Sequence, residues 1–256
     1  MASWAVKRKI LYVSIFFAVF FIIAAVIFSS TFFKPATCRD NKQNQGETGI
    51  DCGGPCQLLC KTETREPIVR WQRFFRASPG VYSAVAYVEN PNPHSVAYAV
   101  PYSFRIYDAK NVLITERKGT TSIAPTGITP VFEGGITTGE RLPSYVSFEF
   151  VGRPVWLSRS TQAPNITVSN QKLNLNTATP TFEAVISNPT LLAIPKFDVV
   201  AVFFNANGTA FAASKTVVDR LEGGQKAPVT FSWREPFTEQ AVKIDVIPRL
   251  FPDQHY

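Results

Sequence analysis

All four cysteines of the chain fall between residues 38 and 60, at Cys38, Cys52, Cys56 and Cys60, spaced C-x13-C-x3-C-x3-C. Sulfur gathered this way supports two chemistries. In an oxidising compartment the thiols pair and persist as structural disulfides. In a reducing one, four thiolates hold a tetrahedral zinc ion. Four cysteines allow three pairings, and spacing does not choose among them. Interleaved with them are Asp40, Asn44, Glu47 and Asp51, oxygen ligands of the kind calcium takes. The EF-hand pattern is not met, because Lys42 stands at the third position of such a loop and Gln45 replaces the glycine of the sixth. Two readings of the four polar residues remain: a calcium site of another kind, or caps that bind turn N–H groups.

Elsewhere the sequence is poor in catalytic devices. It has two histidines, His94 in the turn-like "NPNPHS" and His255 next to the last residue. No zinc-protease, nucleophile-elbow, phosphate-loop or dinucleotide pattern is present. The expectation is therefore a protein without enzymatic activity and without a cofactor, calcium being the one candidate.

The compartment follows from the N-terminus. Residues 10–33, "ILYVSIFFAVFFIIAAVIFSSTFF", carry no charge. As a helix they span roughly 36 Å, against a hydrocarbon core about 30 Å thick. The run exceeds the 7–15 apolar residues of a cleaved signal peptide and is not followed by a small-residue cleavage site, which favours an uncleaved signal anchor. Lys7, Arg8 and Lys9 flank its start and Lys34 alone closely flanks its end. The positive-inside rule then places the N-terminus in the cytoplasm, the bilayer around residues 10–33, and residues 34–256 outside, in a cell envelope. This favours disulfides over zinc. The net charge of +7 includes those three N-terminal positives, and the remaining basic residues are scattered. Such a surface is no nucleic-acid footprint.

The stretch "CRDNKQNQGETGIDCGGPC" resembles a short cysteine motif of secreted and surface proteins, C-x-D-G-x-x-N-G-x-E-T-x-x-D-C-G-G-x-C. Cys38, Asp40, Asn44, Glu47, Thr48, Asp51, Cys52, Gly53, Gly54 and Cys56 match it. Asn41 and Gln45 replace two of its glycines. Asn tolerates the left-handed backbone; Gln45 is the larger departure, with Gly46 beside it to take the turn. The resemblance covers under a tenth of the chain and implies an extracellular module.

Beyond residue 65 the chain reads as a duplication. Asn90-Pro91 recurs as Asn188-Pro189, Tyr107-Asp108 as Phe204-Asn205, and Pro130-Val131 as Pro228-Val229, each 97 or 98 residues on. Period-two alternation marks strands, as in Val146, Phe148 and Phe150 or Val242, Ile244 and Val246. The continuous apolar run Val199–Phe204 suits a central sandwich strand. Asn-Pro, Asp108–Asn111, Asn205–Gly208 and paired glycines supply the turns. The expected fold class is all-β: two tandem immunoglobulin-like β-sandwiches of about seven strands each, behind a transmembrane helix and a small disulfide-rich segment. The expected divisions are a cytoplasmic stub 1–9, an anchor 10–33, a cysteine module 34–65, a first sandwich 66–156, a linker 157–163, a second sandwich 164–252 and a tail 253–256.

The segment "VENPNPHSVAYAVPYSFRIYDAKNVLI" resembles the bacterial FxLyD domain and the related LEA14/WHy domain, which share an Asn-Pro turn and an aromatic-x-aliphatic-Tyr-Asp segment. Here that segment is Phe104-Arg105-Ile106-Tyr107-Asp108; in the second unit Ala201-Val202-Phe203-Phe204-Asn205 matches it less well. The resemblance implies an immunoglobulin-like or fibronectin-like fold in envelope or stress contexts. One stretch stands apart: in Trp71-Gln72-Arg73-Phe74-Phe75-Arg76 aromatic and basic residues interleave. It is either a first strand with Trp71 packed inward, or a binding edge using Trp71, Arg73 and Phe75, since aromatic and Arg side chains dominate interface hot spots. Asn165-Ile166-Thr167 and Asn207-Gly208-Thr209 fit the glycosylation sequon. Together these features point to a membrane-anchored binding or adhesion module with an envelope protein or a glycan as partner. A structural subunit of a secretion-type or pilus-type assembly is the second reading, and a stress-protective protein the third.

Overall fold

The computed structural model describes residues 4–32, 37–125, 127–159, 165–175 and 179–250. Phe33, Lys34, linker residues 160–163, the tail 253–256 and His255 lie outside the described residues. The chain divides into two compact units, Met1–Cys56 and Gln57–Tyr256.

The first unit holds helix α1 (Trp4–Phe32) and the turns that carry Cys38, Cys52 and Cys56. Within α1, Val6–Ser29 forms a 24-residue stretch of mean hydropathy 3.0, long and apolar enough to cross a membrane. Its described side chains are exposed all round, and no polar stripe interrupts them. A soluble amphipathic helix would carry such a stripe.

The second unit is all-β. Its strands are β1 (Ile68–Ser78), β2 (Val81–Glu89), β3 (Ser95–Tyr107), β4 (Leu113–Ile123), β5 (Ile128–Thr137), β6 (Tyr145–Phe150), β7 (Trp156–Ser158), β8 (Thr167–Asn174), β9 (Thr181–Ser187), β10 (Ile194–Phe204), β11 (Ala210–Leu221), β12 (Lys226–Ser232) and β13 (Lys243–Arg249). They build two immunoglobulin-like sandwiches of matching topology. In the first, sheet β1-β2-β5 faces sheet β4-β3-β6; in the second, β8-β9-β12 faces β11-β10-β13. The duplication read in the sequence is thus a duplication of fold. Strand β7 is the exception. It pairs with Ser95–Ala97 of β3, on the edge where β6 pairs with Tyr102–Tyr107, so it continues β6 beyond the bend at Gly152 and Pro154. Among the described residues the first sandwich has seven strands and the second six.

The repeated dipeptides do the same work twice. Asn90 Nδ2 donates to the carbonyls of Ser95 and Ala124, and Asn90 Oδ1 accepts from Asn92 N. Asn188 Nδ2 donates to the carbonyls of Leu192 and Leu221, and Asn188 Oδ1 accepts from Thr190 N. Each buried amide pins a turn to the end of a strand in the facing sheet, supplying partners that the buried backbone needs. Asp108 Oδ1 accepts from Lys110 N and Val112 N, as Asn205 Oδ1 does from Asn207 N and Thr209 N. Both hairpins then turn through a left-handed residue, Asn111 (φ 59°) or Gly208 (φ 71°).

Each sandwich has its own core. Ala84, Ala86, Val88, Phe104, Ile106 and Trp156 are among the buried residues of the first, and Phe182, Ile186, Ala201, Phe203 and Phe231 of the second. A third core lies between the sandwiches. Phe75, Val85 and Tyr87 of sheet β1-β2-β5 pack on Val200, Val202 and Phe204 of β10 and Ala210 and Ala213 of β11, with Trp71, Ile128, Phe132 and Ile247 around them. Trp71 stacks on Tyr87 with ring centroids 4.2 Å apart, and both meet Phe204 edge-on at 6.1 Å. Strands β2 and β10 are therefore buried on both faces, and the second unit is a four-sheet stack. The residues expected as a linker join two sandwiches that also share a core.

The outer faces of the stack differ in kind. Arg105 occupies the place that Val202 takes in the second repeat. It bonds Glu116 at 2.8 Å and Glu149 at 2.6 Å, and Lys118 reaches Glu116 at 3.1 Å. Glu183, 98 residues beyond Val85, is exposed on the other outer face. Two repeats thus stack and stop. The substitution Val85→Glu, which borrows the residue of that outer face, would bury a carboxylate in the shared core opposite Arg73, at a cost on the order of 2 kcal/mol even with that cation across the strand pair. The full-length protein is expected to melt in one transition from residue 57 onward, and the variant in two, with the second sandwich keeping its own midpoint. A single transition at the wild-type midpoint would show that the shared core contributes nothing.

Candidate functional site

In the cysteine segment Cys38 and Cys56 are joined, with Cα atoms 5.7 Å apart, and Cys52 and Cys60 are disulfide-bonded too; no cysteine is free. The oxygen-bearing residues lie inside the same turns. Asp51 Oδ1 accepts from Asp40 N at 2.9 Å, and Asp51 Oδ2 from Asn41 N at 3.0 Å. Asp40 Oδ1 accepts from Lys42 N, and Asp40 Oδ2 from Asn44 Nδ2, both at 2.9 Å. Glu47, 6% exposed, accepts from Asn44 N and Asp51 N through Oε2. These are turn caps, and the Asn44 amide beside Asp40 holds that carboxyl below its ordinary range. Among the described residues one group of metal-binding types converges, Cys38, Glu47 and Cys56. Its two sulfurs are bonded to each other and offer no thiolate. The donor set therefore fits a cap network better than a calcium or zinc site.

The motif's glycine positions are the left-handed ones. Asn41 stands at φ 59° and Gln45 at φ 41°, with Gly46 at φ 85°. Gln45 thus adopts the glycine conformation itself, and Gly46 does not relieve it. At Gly54 a Cβ would lie 2.2 Å from the Gly46 carbonyl oxygen, so a side chain there would break the segment.

Segment 57–65, expected within the cysteine module, belongs instead to the first sandwich. Leu59 N donates to Trp156 O, and Ser158 N to Gln57 O, which lengthens the sheet by a fragment beside β7. Asn92 and Arg65 exchange two hydrogen bonds, Arg65 N to Asn92 Oδ1 at 2.7 Å and Asn92 Nδ2 to Arg65 O at 2.8 Å.

The aromatic–basic stretch is β1. Trp71 and Phe75 face the shared core; Arg73, between them on the same face and opposite Val85, is exposed at its rim. Inward packing of Trp71 therefore holds, its cover being the second sandwich of the same chain. Beside it runs a groove of about 780 Å³. One wall is β1 from Gln72 to Ala77 with residues 144–146 beside it; the other is β11 from Ala210 to Ala213, together with Trp233 and residues 235–239. The groove was not legible in the sequence, because its walls come from four distant segments.

Tyr87 Oη donates to Asp245 Oδ2 at 3.2 Å across the shared core; burial first, and then the Asp245 charge, push its phenol far up and keep it protonated. Arg249 Nη2 donates to Thr121 Oγ1 at 2.6 Å. His94, the one described histidine, is exposed at a turn and makes no side-chain hydrogen bond among the described residues. Asn165 and Asn207 of the two sequons are both exposed.

No family model matches the chain, and no curated protein matches it either. Solved structures resemble it in part. A β-glucuronidase of Bacteroides uniformis is 12% identical, with 68% of this chain and 22% of that one covered at a TM-score of 0.19. Red sea bream transglutaminase is 10% identical, with 72% and 29% covered at 0.20. The chain spans less than a third of the length of either. Likeness at these scores carries no argument about activity.

The outer face of the first sandwich has a titratable signature. The Ser103 hydroxyl, then Lys118 and Arg105, hold the Glu116 carboxyl at about 2, against an ordinary 4.5. A depressed carboxyl contributes stability that is present above pH 4.5 and lost as the pH falls through about 2. The melting temperature is expected to fall across that window, and Glu116→Gln to flatten part of the fall. Parallel curves for the two proteins would refute this role.

Proposed function

We propose that the protein is a membrane-anchored binding module of the cell envelope, held by α1 with its β-sandwiches outside, and without enzymatic activity. The observation that carries this reading is the shared core of Phe75, Val85, Tyr87, Val202 and Phe204. It locks two small sandwiches into one body and leaves a groove between their edges. A rigid body with a preformed groove loses little conformational freedom when a partner docks, which favours affinity. The charge order around α1, with Lys7, Arg8 and Lys9 at its start, supports an outside location for the rest, and a fully disulfide-bonded cysteine set suits an oxidising compartment.

A subunit of a larger envelope assembly is the reading to separate from this one. Full-length protein crosslinked in intact cells and extracted in detergent distinguishes them. A binding module gives reproducible crosslinks from residues 68–250 to one envelope protein or glycan carrier and migrates as a small complex. A discrete large complex of fixed composition would favour the assembly subunit. Recovery of lipid and abundant bystanders alone would overturn the module reading.

A further inference from the structure

The groove between the sandwiches is walled by the edges of strands. Consecutive side chains of a strand point to opposite faces, yet the groove is lined by every residue from Gln72 to Ala77 and every one from Ala210 to Ala213. Only a cavity that opens at the rim of a sheet meets both faces of a strand at once. Both strands are terminal in their sheets, β1 in β1-β2-β5 and β11 in β11-β10-β13.

The two rims are not equivalent. On β11 the Ala213 carbonyl already accepts from the Trp233 indole at 3.3 Å. On β1, among the described residues, Ile68–Ser78 makes no backbone hydrogen bond beyond its pairing with β2. Such a row of unpaired N–H and C=O groups is a template for another strand. The side chains of β1 say which strand. It carries Arg70, Arg73 and Arg76 and no acidic residue. Arg70 is paired with Glu89, and Arg76 weakly with Glu235 at 3.6 Å. Arg73 is exposed and has no ion-pair partner among the described residues. A second copy of β1 would set guanidinium against guanidinium, which is destabilising in a cross-strand pair. A strand bearing carboxylates would be drawn to the same positions. Beyond the rim, Phe211, Trp233 and Phe237 form a half-buried aromatic floor, with Phe237 5.0 Å from Trp233 and 5.5 Å from Phe211. The far wall also carries Glu235 and Glu239, but Glu235 faces Arg76 and Glu239 accepts from Asn205 Nδ2 at 2.5 Å.

We propose that the groove is a strand-docking site that takes an extended acidic peptide segment of a partner protein, paired edge-to-edge with β1, its carboxylate facing Arg73 and an aromatic or aliphatic side chain seated on Phe211, Trp233 and Phe237. This deepens the binding-module reading and rests on it. Main-chain pairing supplies affinity in such sites, and alternate side chains supply specificity.

The test uses full-length protein in detergent and a peptide matching the 11 residues of β1 in length, alternating Glu with Phe or Val. Three controls accompany it: Lys in place of Glu, N-methylation of alternate residues along one edge, and a neutral linear oligosaccharide. Saturable binding of the acidic peptide is expected, with new amide protection in residues 70–78. Affinity should fall about tenfold or more with Arg73→Glu, and binding should vanish for the peptide N-methylated on the edge that faces β1. Arg73 is exposed but shares the face of Trp71 and Phe75 and lies opposite Val85, so Arg73→Gln, which removes the charge without reversing it, is measured beside Arg73→Glu, and both are required to keep the wild-type melting midpoint. No binding, equal binding of the Lys peptide, indifference to N-methylation of either edge, or displacement of the peptide by the oligosaccharide would each overturn the proposal. If cellular crosslinks then map a partner outside residues 72–77 and 210–239, the module reading survives and the groove assignment alone fails.

Discussion

A strand that is apolar on both faces needs a sheet on each side. That constraint governs the second unit of this protein. Along β10, Ala201 and Phe203 lie in the core of its own sandwich and Val200, Val202 and Phe204 turn the other way. β2 has the same problem, with Ala84, Ala86 and Val88 on one side and Val85 and Tyr87 on the other. Each strand is the other's solution. Left in water, either outer face would be a contiguous apolar patch of the kind that marks an interaction site. Packed together, they turn two marginal sandwiches of about ninety residues into one larger body, which buries a greater share of its surface.

The same logic explains why the stack ends after two repeats. Where the second repeat has Val202, the first has Arg105 within a network of Glu116, Glu149 and Lys118. Where the first has Val85, the second has Glu183 on an exposed face. Polar outer faces on terminal repeats are what keep a repeat protein soluble and finite. Duplication supplied two copies of one sandwich; divergence at these positions decided which faces meet.

Much of the fold was legible because its signals are local. The Asn-Pro turns, the Asp108 and Asn205 hairpins and the period-two strands are written in adjacent residues, and the structure gives the equivalent side chains equivalent hydrogen bonds. The run Val199–Phe204 announced double-sided burial but not the partner, because the residues that cover it lie more than a hundred positions upstream. Hence residues 157–163 read as a linker between separate domains. β7 escaped notice because Gly152 and Pro154 break the alternation before Trp156, and segment 57–65 because its pairing with β7 joins residues about a hundred positions apart. In the cysteine segment the residue types left caps and ligands open; the direction of each carboxylate oxygen toward a backbone N–H favours the caps. The groove is the extreme case, since a rim is defined by which strands stand last in their sheets.

The shared core is the claim on which the rest stands, and a distance distribution tests it most directly. Spin labels at Lys118 and Glu183, on opposite outer faces, would be measured by pulsed electron resonance in the full-length protein. Four sheets stacked at about 10 Å intervals place those faces about 30 Å apart. The account predicts one narrow peak somewhat beyond that distance, the excess set by the label arms. A broad distribution reaching to much longer distances would mean that the sandwiches move on a hinge, and would contradict it.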